Sequence, residues 1–302
     1  MGRLDQSLNP ELNENWIYLI YLYLCLENNW KPLGMKDIKT AEAFATSWNN
    51  LPGGSVYTFD QFEDWFAPLQ KSDFKGKNVL ELGCGNASLL VHAAQWEPAN
   101  LVGIDLGESI LSANQNMSQT GFKNFRIEKA DLTEYRAAEK FDLVYSIGVL
   151  HHLKNPVEGF TSAVENTKPG GAFHCWVYAK EGNGLIIWVV DPIRKVASKL
   201  PWWINKYLIA TPLSFLYFLY AHFIVALGIS FMPLYAYSQW ICKRNFMFFR
   251  HVAFDQLVTP QTKYIDRATI ENWLAANEKV DSTNTYLIFR NGNSWKFGGK
   301  VR

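Results

Sequence analysis

From Lys77 onward, short apolar runs alternate with amphipathic stretches. Asn78–Leu82 (NVLEL), Leu101–Asp105 (LVGID), Phe125–Lys129 (FRIEK), Phe141–Ser146 (FDLVYS) and Gly171–Tyr178 (GAFHCWVY) read as strands. Ser88–Trp96, Ile110–Gln119 and Pro156–Asn166 between them read as helices. This alternation predicts βαβ crossovers and an α/β fold with a Rossmann-like, doubly wound, mostly parallel sheet. Near the end, Arg267–Asn277 places Ile270, Trp273 and Leu274 on one helical face. Thr285–Arg290 and Ser294–Lys300 flank Asn291-Gly292-Asn293, which signals an antiparallel hairpin closing the sheet.

Two regions depart from the alternation. Residues 1–34 carry the apolar run Trp16–Leu26 (WIYLIYLYLCL) after acidic Asp5, Glu11 and Glu14. The run is too short to span a bilayer and lacks the cationic flank of a signal peptide, so it predicts an N-terminal extension with a packing helix. The second is an insertion, residues 185–254, which divides a core of residues 35–184 and 255–302. Positions 192–254 contain no Asp or Glu but hold Arg194, Lys195, Lys199, Lys206, Lys243, Arg244 and Arg250. Leu213–Met232 has the length of a membrane span, but strands on both sides must join one sheet, which argues against a single crossing and leaves a cap, a cap in the membrane interface, or a re-entrant or spanning hairpin. Pro212, Gly228 and Pro233 are expected to break the stretch into a helical apolar cap. Its cations suit anionic acceptors or anionic headgroups, so residues 185–250 are also a candidate membrane-surface contact. Between Lys36 and Leu69, Phe62, Trp65, Phe66 and Leu69 share a helical face, as core helices or as a lid.

Candidate chemistry begins at Glu81-Leu82-Gly83-Cys84-Gly85-Asn86-Ala87, a strand running into a glycine turn that opens a helix. Gly83 and Gly85 let the backbone approach a ligand. Asp105 ends the next strand, where a carboxylate can accept from ribose hydroxyls. Asp131 follows the third strand, where an acceptor could read an adenine amino group, and Ser146 closes the fourth. Either aspartate alone reads equally as a cap or loop residue; all of them at one sheet edge predict a nucleotide-type cofactor. His151 follows the fourth strand and is a candidate base, with Tyr178 and Asp191 behind it. The four cysteines, Cys25, Cys84, Cys175 and Cys242, form no metal or disulfide pattern. No metal is expected, and a reducing cytoplasm suits the chain.

As a set these motifs resemble class I S-adenosylmethionine (SAM)-dependent methyltransferases, of the small-molecule, UbiE-like type. ELGCGNA is similar to the family's first motif, GID to its second-strand acid and ADL to its adenine-contacting motif. FDLVYSIGVLHHL is similar to the segment facing the substrate, and Lys168–Gly171 (KPGG) to the turn before the fifth strand. The resemblance implies that Glu81, Gly83 and Gly85 line the methionine end, that Asp105 holds the ribose, and that Asp131 and Leu132 frame the adenine. Ala87 stands where many members carry a third glycine, which is tolerable if its φ is negative.

The expected activity is methyl transfer to a small-molecule or lipid-like acceptor, with SAM as donor. A non-catalytic SAM-binding accessory protein, docking through the insertion, is the alternative. A net charge of +1 gives no electrostatic case for nucleic acid. An insertion without aromatic–basic interleaving argues against RNA. Asp131, KPGG and the terminal hairpin argue against a nicotinamide dehydrogenase.

Overall fold

The computed structural model describes residues 35–49 and 57–302, and residues 36–302 form one compact unit. The run Trp16–Leu26, Cys25 and the Pro52-Gly53-Gly54 loop lie outside the described residues. Helix α1 (Met35–Asn49) and helix α2 (Phe59–Phe66) precede the sheet. Thr58 starts α2 with a capping box: its hydroxyl accepts from the Gln61 N–H, and the Gln61 side chain accepts from the Thr58 N–H at 2.8 Å.

Seven strands follow: β1 (Asn78–Leu82), β2 (Asn100–Asp105), β3 (Phe125–Lys129), β4 (Phe141–Ile147), β5 (Thr167–Tyr178), β6 (Val280–Arg290) and β7 (Ser294–Val301). They lie in the order β3-β2-β1-β4-β5-β7-β6. β1 to β5 run parallel, and β7 is antiparallel to both β5 and β6. Chain order therefore reverses between β1 and β4, which opens a crevice at the carboxyl ends of those strands.

Helices α3 (Ser88–Ala93), α4 (Ile110–Gln119), α5 (Pro156–Asn166) and α10 (Arg267–Ala276) cover the sheet. Successive strand residues face opposite layers. Val79 of β1 packs with Leu90, Met117, Phe62 and Phe66, whereas Leu80 packs with Val144, Phe160, Phe173 and Phe297. The hairpin turn holds Asn291 at φ 50° and Gly292 at φ 67°, as the Asn-Gly sequence predicts. Gly182 closes against it: a Cβ there would sit 1.7 Å from the Gly292 carbonyl oxygen, so that position requires glycine.

Three expectations change. β5 begins at Thr167, so KPGG is a bulge inside the strand; Phe141 pairs with Thr167, and the next pair is Leu143 with Ala172. Ala87 stands at φ 64°, in the left-handed region, so its methyl is strained where a negative φ was assumed. The strain is about 1 kcal/mol. Removing the buried methyl and adding glycine's freedom costs a similar amount. Ala87→Gly is therefore expected to leave urea stability within about 1 kcal/mol, whereas Ala87→Val loses about 3 kcal/mol. Equal stabilities for the two variants would contradict the left-handed assignment.

The third change concerns Pro212. The insertion is helical: Ile186–Val190, α6 (Asp191–Ala197), α7 (Thr211–Ala226), α8 (Tyr235–Ile241) and α9 (Phe246–Val258). Pro212 does not break it, and a continuous helix runs from Trp202 to Ala226. The turn Asn205–Ala210 widens to π-type hydrogen bonding just before the proline, and the Thr211 hydroxyl donates to the Lys206 carbonyl at 2.8 Å. Gly228, at φ 66°, follows the helix end.

Candidate functional site

The glycine turn is held from below and from the side. Gly83 and Cys84 N–H groups both donate to the Ile104 carbonyl, at 2.8 and 2.9 Å, which ties β1's end to β2. Asp105 then bridges two loops: Oδ2 accepts from Gly85 N–H at 2.9 Å, and Oδ1 from Gly107 N–H at 2.8 Å. Ser109 Oγ adds a bond to Oδ1 at 3.3 Å. Burial raises the Asp105 pKa, and these hydrogen bonds oppose the rise.

These residues open into a cavity of about 760 Å³. Glu81, Gly83, Gly85, Asn86, Asp105, Asp131 and Leu132 line it. Thr40, Ala41 and Phe44 of α1 line it too, so α1 is part of its covering. Glu81 is buried, and Tyr145 OH donates to its Oε2 at 3.1 Å. Burial, with Asp105 nearby, pushes its pKa up to about 8 against the Tyr145 bond. Asp131 uses Oδ1 to accept from Thr133 N–H at 2.8 Å and Thr133 Oγ1 at 2.7 Å, which fixes the turn after β3.

Two predicted residues lie off the wall. Ser146 is fully buried and its hydroxyl donates to the Leu82 carbonyl at 2.9 Å, stitching β4 to β1; the wall there is Ile147, Gly148 and Val149. His151 is also fully buried, one ring behind the wall, 4.2 Å between centroids from both His152 and Tyr178. Neither of its ring nitrogens has a hydrogen-bond partner among the described residues, and burial lowers its pKa well below 6.5. His152 and Tyr178 do line the cavity. Asp191 lies outside it and pairs with buried Arg194, whose guanidinium also donates to the Gln256 side chain at 2.6 Å, pinning α6 to α9.

The sequence reading missed groups that the insertion delivers. His251 and Asp255 both line the cavity, with Nε2 and Oδ2 3.2 Å apart. Their signal was the i, i+4 spacing in HVAFD, one face of α9. Arg290 of β6 also lines it, buried, paired with Asp64 and set 5.1 Å from the Trp240 ring of α8. The free cysteines Cys84 and Cys175 are buried, and among the described residues no His, Cys, Asp and Glu cluster could hold a metal.

A family model described as a methyltransferase domain matches residues 73–181. The chain is 37% identical over 111 residues to a ubiquinone biosynthesis O-methyltransferase of Dechloromonas aromatica, covering 36% of this chain and 46% of that protein. It is 30% identical over 103 residues to a tRNA U34 carboxymethyltransferase of Desulfotalea psychrophila, covering 33% and 32%. Among solved structures, the N-methyltransferase NodS of Bradyrhizobium japonicum is similar over 80% of this chain and 93% of its own, at 13% identity and a TM-score of 0.44. The matched stretch thus spans less than half the length of those two curated relatives. Residues 73–181 therefore carry a methyltransferase domain of the class I S-adenosylmethionine-dependent type.

Proposed function

We propose that this protein transfers a methyl group from SAM to a small-molecule or lipid-like acceptor held under the cap. One observation carries the reading: one cavity is lined both by the glycine turn with Asp105 and Asp131 and by Leu213, Tyr217, Trp240 and Phe249 of the insertion. The residues present fit the cofactor. Gly83 and Gly85, at φ 82° and 53°, give a turn without side chains at the wall. Asp105 would hold the ribose, Asp131 and Leu132 the adenine, and Glu81 the cationic methionine end. Bound SAM supplies an activated methyl group; the chain must align the acceptor and exclude water.

His251 and Asp255 are the titratable pair best placed to take a proton from the acceptor. His151, neutral and off the wall, positions Tyr178 and His152. The tRNA-modifying relative is the second reading, and the apolar cap disfavours it. The buried free cysteines suit a cytoplasmic setting, with residues 185–250 turned to a membrane surface.

Calorimetry tests the core of the proposal: SAM and S-adenosylhomocysteine should both bind, and NAD should not. Tight NAD binding with neither of the others would overturn it. Glu81 adds a pH signature. Its folded pKa near 8 lies far above the ordinary value of about 4.3, so without a ligand cation beside it Glu81 is largely protonated at neutral pH. Pairing with a ligand cation ionises it, so binding releases a proton below pH 8 and affinity falls as pH drops from about 8 to 6, approaching tenfold per unit. Glu81→Gln should flatten that slope; an equally steep slope in the variant assigns the proton elsewhere.

A further inference from the structure

The helix from Trp202 to Ala226 has two unlike faces. Ser214, Ala221 and Ile224 are buried, and Ala221 packs with Ile241 and Phe249 of the cap. Leu208, Phe215, Leu216, Leu219 and Phe223 are all more than half exposed, and Trp188 reaches 82% and Phe231 85%. So large a contiguous apolar face is not left in water without a use. Exposed Lys195 and Lys199 and half-buried Lys206 accompany it, and no carboxylate falls between 192 and 254. Trp202, Trp203 and Tyr207 stand at the helix start, side chains that favour the boundary between headgroups and acyl chains.

The cavity reaches this same face. Leu185, Val189 and Leu216 line its wall and are also exposed, and the same cavity is lined by Glu81, Asp105 and Asp131. Where the cavity wall meets this face, its side chains are therefore apolar. A second copy of the chain is a poor occupant, because a twofold contact through this face would set Lys195, Lys199 and Lys206 against themselves. A single crossing is excluded, because β5 before the helix and β7 after it pair in one sheet, and among the described residues only this helix is long and apolar enough to cross.

We infer that the cap lies in the surface of an anionic bilayer through the exposed face of this helix, and that the cavity opens into the lipid between Leu185, Val189 and Leu216. The acceptor is then a bilayer-resident amphiphile that enters sideways, its apolar part leading out through the mouth and its reacting group at the cofactor end. This rests on the methyl-transfer reading for the role of the cavity, but not for the docking.

Flotation of the full chain with phosphatidylcholine vesicles, with and without phosphatidylglycerol, tests the surface. The protein should float with the anionic vesicles, and less so as salt screens the lysines. The triple variant Phe215→Ser, Leu219→Ser, Phe223→Ser should bind them roughly a hundredfold more weakly. Its calorimetric affinity for S-adenosylhomocysteine should stay unchanged, which shows that it is folded. The paired variant Val189→Trp, Leu216→Trp should float normally but take up N-phenyl-1-naphthylamine from vesicles more slowly. Absence of flotation, equal flotation of the triple variant, or a dimer that the triple variant disperses would overturn the docking. Unchanged uptake through the tryptophan-lined mouth would overturn sideways entry. Failure to bind S-adenosylhomocysteine would instead strike the methyltransferase reading, whatever the flotation result.

Discussion

Replacing Asp105 by alanine is expected to weaken SAM binding by about 3 kcal/mol, more than a hundredfold in affinity. Two losses combine. A charged acceptor for ribose hydroxyls is worth about 1.5–3 kcal/mol. The same carboxylate also fixes the Gly85 and Gly107 amides, so its removal loosens both loops that shape the cofactor end. The fold should survive with a penalty of about 1–3 kcal/mol, because the freed Gly85 amide lies at the cavity wall while the Gly107 amide stays buried. Asp105→Asn keeps one acceptor oxygen without the charge and should fall between the two. Calorimetric titration of S-adenosylhomocysteine against all three proteins checks the order. Wild-type affinity in the alanine variant would move the ribose elsewhere.

The strand alternation was legible because β1, β2, β4 and β5 are buried toward both helical layers, and that burial leaves apolar runs in the sequence. The glycine turn and the aspartates were legible because strand ends bring them to one edge. Orientation was harder to read. Ser146 lies one residue before the end of β4, but its hydroxyl turns to the Leu82 carbonyl and not to the cavity. His151 and His152 are neighbours, and only the second reaches the wall. Nothing in a two-residue run states which ring faces the ligand. Backbone conformation was harder still: alanine at position 87 suggested a negative φ, and the turn imposes 64°. Pro212 looked like a break because proline removes a donor, but the π-type turn before it absorbs the defect. Long-range partners such as Trp240 over Arg290 left no local signal at all.

Replacing residues 186–258 with a short Gly/Ser linker should abolish methyl transfer while leaving S-adenosylhomocysteine affinity within about tenfold. The proposed cofactor site is lined from β1, β2, the turn at Asp131 and α1, none of which belongs to the helical layer. The proposed acceptor site is lined by Leu213, Tyr217, Trp240, Phe248, Phe249, His251 and Asp255, all of which do. Without them Trp176 and Tyr178 face water, and the acceptor loses both its apolar enclosure and the His251–Asp255 pair. The sheet should persist, because β5 still pairs with β7 over seven registered positions from Ala172–Lys300 to Tyr178–Ser294. Asn183, which precedes the deletion, keeps its bonds to the Ala179 and Asn293 carbonyls at 2.7 and 2.6 Å. Circular dichroism and calorimetry establish that the shortened protein is folded and binds its ligand. Transfer of labelled methyl from SAM into membrane extracts then gives the answer. Undiminished transfer by the shortened protein would show that the helical layer plays no part in choosing or enclosing the acceptor.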